Sequence, residues 1–85
     1  MSAFVAERFW PGATETAARE AMELLRATCD RLASTGVTVR YLGGTFVLED
    51  EALSCRFDGT AQAVRTVHEL AGLTFDRLLP SIDVP

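Results

Sequence analysis

The chain contains no lysine and only one histidine, so the nature of its positive charge and its capacity to bind metals are both restricted. All eight of its cations are arginines, which stand against twelve acidic residues and leave a net charge of −4. The arginines are scattered and form no basic run, which argues against binding to nucleic-acid phosphates or to an anionic membrane. No apolar run approaches the roughly 18 residues that a membrane-spanning helix requires. We therefore predict no nucleic acid and no membrane among its partners.

Cysteine is also scarce. Cys29 and Cys55 are the two cysteines of the chain, and two are too few to indicate a disulfide framework. The first ten residues lack the basic segment followed by an apolar stretch that marks a signal peptide. We therefore predict a cytoplasmic protein in which both thiols are free and buried.

Hydrophobic residues, in contrast, are plentiful. They make up 48% of the 85 residues, which is ample for one folded domain that spans residues 1–85. A chain of this length forms only a thin core. The apolar residues in excess of that core predict a second buried surface, such as a subunit interface.

The hydrophobic pattern predicts six elements in the order β-α-β-β-α-β. The predicted strands are residues 2–10, 37–48, 52–57 and 73–84. The predicted helices begin after the N-caps Thr14 and Thr60 and end at the glycines Gly36 and Gly72. Pro80 lacks the N–H that a central strand needs, so this part of the last strand should lie at an edge of the sheet or beyond the paired region.

This order predicts the ferredoxin-like split βαβ fold of the α+β class. Four antiparallel strands would carry two helices on one face, and the other face would be open and partly apolar. Two such sheets packed face to face would bury the open faces, which predicts a homodimer. Within the third strand, alternation predicts that Cys55 points toward the helices and Arg56 points away from them.

Several segments resemble one protein family. They are Glu7-Arg8, the turn around Glu49-Asp50, Cys55-Arg56-Phe57-Asp58, Ala63-Val64-Arg65 and Gly72-Leu73-Thr74-Phe75-Asp76-Arg77-Leu78. They are similar to a family of small bacterial proteins, mostly of unknown function, with a ferredoxin-like fold. The resemblance implies a dimeric α/β barrel and, because one branch is described as nickel-binding, nickel as a cofactor. Many members have a His-Ser-Tyr run where this chain has Gly44-Thr45-Phe46, so one imidazole of that family is missing.

His68, Cys55 and Glu51 are the candidate metal ligands. His68 lies beside the inner stripe of the second helix, Cys55 matches the family cysteine, and Glu51 ends an acidic turn. Useful metal affinity generally needs three or four ligands, and a second subunit would double the number available. The simpler interpretations are a surface or boundary histidine, a small buried thiol and a solvated turn.

Five residues are candidates for binding a small organic molecule on the open face of the sheet. They are Glu7, Arg8, Arg40, Tyr41 and Arg56. Acid and guanidinium groups in a dry cavity between two subunits would suit acid–base chemistry. The simpler interpretation is a structural Glu-Arg pair at the rim of the dimer. Asp76-Arg77 is interpreted in the same way, as an ion pair that stabilises a turn.

Three functions stay open at this point, because the sequence contains no complete catalytic or metal-binding motif. The first is a non-catalytic dimeric protein that binds a nickel-type metal or a small ligand. The second is a cofactor-independent dimeric-barrel enzyme, an oxygenase, isomerase or cyclase, which acts on a hydrophobic small molecule in the cavity. The third is a purely structural dimer.

The nickel hypothesis predicts that the purified protein takes up Ni²⁺ near micromolar concentration. In a calorimetric titration, His68→Ala and Cys55→Ala should each weaken the uptake, because each removes a ligand. A wild-type protein that takes up no nickel in this range would contradict the hypothesis.

Overall fold

The elements form in the predicted order. A computed structural model describes residues 3–82 of the chain. Its strands are β1 (Ala3–Phe9), β2 (Arg40–Val47), β3 (Ala52–Asp58) and β4 (Arg77–Ser81), and its helices are α1 (Glu15–Ala33) and α2 (Ala61–Ala71). All strand pairs are antiparallel, in the spatial order β2-β3-β1-β4. This is the ferredoxin-like α+β arrangement, so the predicted fold is confirmed.

Both helices begin at the predicted threonine caps. The hydroxyl oxygen of Thr14 accepts the N–H of Ala17 at 3.0 Å, and that of Thr60 accepts the N–H of Ala63 at 3.1 Å. These bonds satisfy donors that the first turn of a helix leaves unpaired. Helix α2 ends at Gly72, whose φ of 70° is in the left-handed region that favours glycine. Within residues 3–82, no helix combines the length and the apolarity that a membrane crossing requires.

Side chains from both helices pack on one face of the sheet. In β3, Leu53, Cys55 and Phe57 are buried, whereas Arg56 between them is exposed. The predicted alternation of this strand is therefore confirmed. The helices supply most of the rest of the core, and Ala6 of β1 and Val39 before β2 complete it. The helical core residues are Ala21, Leu25, Cys29, Leu32, Ala63, Val64 and Val67. Because both described helices lie on this face, they leave the opposite face of the sheet open.

Strand β2 begins later than predicted and contains a bulge. It starts at Arg40 rather than Val37, because the N–H of Val37 donates to the carbonyl of Leu32 and so closes the end of α1. The register with β3 shifts between Tyr41 and Gly43. The glycine pair of this strand thus follows an irregularity in the ladder, as glycines within strands often do.

Strand β4 lies at an edge of the sheet, as Pro80 predicted. Pro80 pairs in register with β1, which is the one neighbour of β4 in the sheet. The strand begins at Arg77 rather than Leu73, because the N–H of Leu73 donates to the carbonyl of His68 at 3.0 Å and closes α2 instead. The predicted end at Val84 lies outside the described residues.

Replacement of Thr60 by alanine should lower the free energy of unfolding by about 1 kcal/mol, because the N–H of Ala63 loses its acceptor. Urea unfolding at neutral pH measures this difference. Thr60→Ser keeps the hydroxyl and should stay within about 0.5 kcal/mol of the wild type. A serine variant as unstable as the alanine variant would show that the hydroxyl does not act as the cap.

Candidate functional site

The open face of the sheet is formed by alternate residues of the four strands. Residues that lie opposite each other in antiparallel strands share a face, so the register arranges them in rows. The central row is Leu79, Val5, Arg56 and Gly43. The flanking rows are Ser81, Ala3, Asp58 and Arg40 on one side, and Arg77, Glu7, Ser54 and Thr45 on the other. The open face therefore mixes apolar, hydroxyl and charged groups.

Three large hydrophobic side chains on this face are exposed to water. Phe9 is 61% exposed, Val47 42% and Leu79 38%, and Val5 lies next to Leu79 in the central row. Phe9 and Val47 lie in the row of Ala52, so the row of Glu7 and Arg77 separates them from Leu79. A single exposed apolar side chain is ordinary on a protein surface, but several on one face favour an interaction site.

Two ion pairs flank the central row. The guanidinium of Arg77 donates to the carboxylate of Glu7, with Nε and Oε1 2.9 Å apart. Arg40 lies 3.9 Å from Asp58. The structural Glu-Arg pair of this face is Glu7 with Arg77, because the β1–β4 register places the two residues opposite each other.

Arg56 lies at the centre of the open face. It is exposed, and no salt bridge found among the described side chains includes it. Its guanidinium lies close over Gly43, where a Cβ atom would stand 3.0 Å from Nη2 of Arg56. Gly43 has a φ of 138°, which other residues rarely adopt. The glycine thus allows an uncompensated cation to lie against the backbone of β2.

Two residues predicted on the open face lie on the helix-facing side instead. Neighbouring residues of a strand point to opposite faces, so Arg8 cannot share a face with Glu7, nor Tyr41 with Arg40. Arg8 stacks on the ring of Trp10, 4.0 Å from its centroid, and Tyr41 meets Phe57 edge to face with ring centroids 5.5 Å apart. The predicted ligand-binding residues that do lie on the open face are Glu7, Arg40 and Arg56.

Gly44 lies on the helix-facing side of β2, opposite Cys55. A Cβ atom at this position would stand 2.7 Å from both the sulfur of Met22 and the hydroxyl of Tyr41. The Tyr41 hydroxyl donates to Sγ of Cys55 across 3.9 Å. Burial raises the pKa of the Cys55 thiol, so this sulfur is a neutral thiol rather than a thiolate ligand. Both cysteines of the chain are free and buried, as predicted.

His68 is buried, and its predicted surface or boundary position is wrong. The residue is 5% exposed, and its ring lies edge to face between Phe57 and Phe75, with centroids 5.5 and 4.9 Å away. Its Nδ1 is 2.8 Å from the carbonyl of Val64, so Nδ1 carries the proton and donates. Burial lowers the pKa of His68. The apolar stripe of a helix is wide enough to include two consecutive residues, which is why the histidine faces inward.

The three predicted metal ligands do not form one site. His68 and Cys55 line a cavity of about 10 Å³, which has room for about one water molecule. Glu51 does not line it: its carboxylate accepts the N–H of Gly12 at 2.7 Å, and its carbonyl accepts the N–H of Trp10 at 2.7 Å. In the described part of the chain, no group of three or more His, Cys, Asp and Glu side chains could hold a metal ion. Within one subunit, the described residues therefore do not fit the nickel ion that the resemblance implies.

Asp76 and Arg77 stabilise the sheet, but they do so without pairing with each other. The carboxylate of Asp76 accepts the N–H of Phe9 at 2.6 Å, and its own N–H donates to the carbonyl of Glu7 at 2.7 Å. Arg77 bonds the side chain of Glu7. These contacts join residues 67 and 70 positions apart, so local sequence patterns could not show them.

The sheet and helices define an α+β protein with a ferredoxin-like fold. The crystal structure of SCO4226 from Streptomyces coelicolor A3(2) is similar, with a TM-score of 0.71, 21% sequence identity and coverage of 91% of each chain. At this identity the similarity supports the fold alone. No protein-family model matches the chain, and no curated protein is significantly similar to it.

The buried imidazole should make the fold less stable at acidic pH. The unfolded chain has a histidine pKa of about 6.5, and burial lowers the folded pKa. The unfolded state therefore binds more protons as the pH falls below about 6.5, and stability decreases until the folded pKa is passed. Urea unfolding of the wild type between about pH 8 and about pH 5 measures this loss.

His68→Asn is the matched variant, because asparagine places an N–H near the position of Nδ1 and does not titrate. Its stability should depend less steeply on pH over the same range, whatever its stability at neutral pH. Equal slopes in the two proteins would contradict the assignment of a lowered pKa to His68.

Proposed function

We propose that the chain is a non-catalytic ligand-binding protein that acts as a homodimer in the cytoplasm. The ligand is a small organic molecule held between two open sheet faces. One observation carries the proposal: the face that neither described helix covers combines the exposed apolar groups Phe9, Val47 and Leu79 with a charged centre. Such a mixture suits a cavity that is largely apolar and contains a few polar groups.

A second copy of the chain is the partner that this face favours. A twofold-symmetric contact places the same patch of each subunit against the other, so the patch must be complementary to itself. The open face meets this condition because it carries both signs of charge, in the pairs Arg40–Asp58 and Glu7–Arg77. The apolar side chains between them would leave water on contact, which stabilises the dimer.

The open face supports an organic ligand better than a nickel ion. Its two carboxylates, Glu7 and Asp58, already pair with arginines. The thiol of Cys55 and the imidazole of His68 are buried on the other side of the sheet. What the face offers is guanidinium and hydroxyl groups, which bind the polar end of an organic molecule rather than a metal.

The enzyme alternative would use the same cavity and stays a prediction. Membership of the family with a nickel-binding branch also stays a prediction. A cofactor-independent enzyme needs a group that accepts or delivers a proton at the substrate. Glu7 is the carboxylate nearest the strand centre, and its Oε1 already accepts a hydrogen bond from the guanidinium of Arg77, so it is not free to take up a proton from a substrate. We therefore favour ligand binding over catalysis.

The proposal predicts that Leu79→Asp prevents dimer formation, because it would bury a carboxylate within the apolar part of the contact. Leu70→Asp is the matched control: it adds the same charge on α2, where Leu70 is 55% exposed. In sedimentation equilibrium, the wild type and the control should show twice the 9.2 kDa mass of one chain. Leu79→Asp should show the mass of a single chain, with an unchanged circular dichroism spectrum.

A wild-type protein that stays monomeric up to millimolar concentration, both alone and with a small organic ligand, would contradict the proposed function. A dimer that persists in Leu79→Asp but is lost in Leu70→Asp would place the interface on the helices instead of the open face.

A further inference from the structure

We propose that the ligand between the sheet faces is a small organic carboxylate, one for each subunit, and that Arg56 binds its anionic group. This inference rests on the proposed function and names the ligand class of the same site.

Arg56 is the uncompensated charge of the open face. The described face carries three arginines and two carboxylates, and the salt bridges Arg40–Asp58 and Arg77–Glu7 use two of the arginines. The whole chain, in contrast, has a net charge of −4. A locally positive face on an acidic protein raises the local concentration of anions and selects them over neutral molecules.

When the open faces of two subunits pack together, the unpaired charge of Arg56 affects the stability of the dimer. An exposed guanidinium is hydrated, but burying it without a partner is strongly unfavourable. Of the two carboxylates of each face, Glu7 is hydrogen-bonded by Arg77 and Asp58 lies 3.9 Å from Arg40, so each of them already faces an arginine other than Arg56. An anion that enters together with Arg56 removes the penalty. Anion binding and dimer formation are therefore coupled.

The geometry of Arg56 suits a carboxylate. Its guanidinium lies over Gly43, where a Cβ atom would stand only 3.0 Å from Nη2, so any other residue at this position would push the group away. A guanidinium presents a planar fork of N–H donors, which matches the two oxygens of a carboxylate. The hydroxyl-bearing residue Ser54 precedes Arg56 by two positions on the same face and supplies a further donor nearby.

The rest of the central row indicates that the anion is organic. Val5 lies directly opposite Arg56, and Leu79 lies directly opposite Val5. The row thus runs from a cation at one end to an apolar surface at the other. A molecule with a carboxylate and a short alkyl or aryl group can use both ends, whereas inorganic phosphate would leave the apolar end uncovered.

Sedimentation equilibrium of the full chain with benzoate tests the proposal. At about ten times the benzoate Kd, the dimer dissociation constant should fall about a hundredfold, because each of two sites contributes about tenfold. Benzamide, which is neutral and of the same shape, should change the constant by less than about twofold. Sodium chloride at the same ionic strength should have an equally small effect.

The decisive variant is Arg56→Gln, with Arg65→Gln as its control. Arg65 is exposed on α2, so both substitutions change the net charge equally. Arg56→Gln should abolish the response to benzoate and should dimerise more tightly than the wild type without benzoate, because it has no unpaired charge to bury. Arg65→Gln should keep the full response. Arg56→Lys keeps the charge but lacks the fork, and should keep a weakened response.

Three outcomes would overturn the inference alone: equal effects of benzoate and benzamide, an equal effect of chloride, or a full benzoate response in Arg56→Gln. In each of them the dimer still forms, so the proposed function would stand with a ligand of another class. A wild-type protein that stays monomeric under every condition would overturn both proposals.

Discussion

The pairing of β1 with β3 on one side and β4 on the other determines the composition of both faces of the sheet. Ala6 lies opposite Cys55 on the helix side, whereas Val5 lies opposite Arg56 on the open side. A slip of one residue would exchange the two sets and would bring the charge of Glu7 into the core. The buried core therefore secures the register, and the register assembles the candidate site. The bond from the N–H of Phe9 to the carboxylate of Asp76 anchors the end of the strand.

The two faces of the sheet differ in the surroundings of their ionisable groups: Cys55 and His68 are buried on the helix side, whereas Arg56 is exposed on the open side. On the helix side, burial raises the pKa of the Cys55 thiol and lowers that of the His68 imidazole, so both shifts favour the neutral form. A thin core can accept these residues because they carry no charge there. On the open side, the guanidinium of Arg56 is exposed to water. The thiol of Cys55 and the imidazole of His68, which are common metal ligands, are thus part of the core. The group on the open face that is available to a ligand is the guanidinium of Arg56.

Local patterns were enough to predict the element order, the caps Thr14 and Thr60, and the alternation of Cys55 and Arg56, because each depends on residues close in sequence. The site was predicted only in part. The partner of Glu7 is Arg77 of β4, 70 positions away, and that of Phe9 is Asp76 just before β4, 67 positions away. Only the register brings these residues together. The width of the apolar stripe of α2 explains why His68 faces inward, but the rings of Phe57 and Phe75 that enclose it come from other parts of the chain, which a helical pattern does not contain.

The adjacent glycines of β2 leave space on both faces of the sheet, one on the open face and one on the helix side. Gly43 leaves room for the guanidinium of Arg56 on the open face, and Gly44 leaves room for Met22 and Tyr41 on the helix side. A larger side chain at 44 would displace Met22 and Tyr41, because its Cβ would stand 2.7 Å from an atom of each, and the Tyr41 hydroxyl is the group that bonds the thiol of Cys55. A larger side chain at 43 would move the cation and strain the backbone. The same two residues therefore close the thiol off from ligands and present the guanidinium to them.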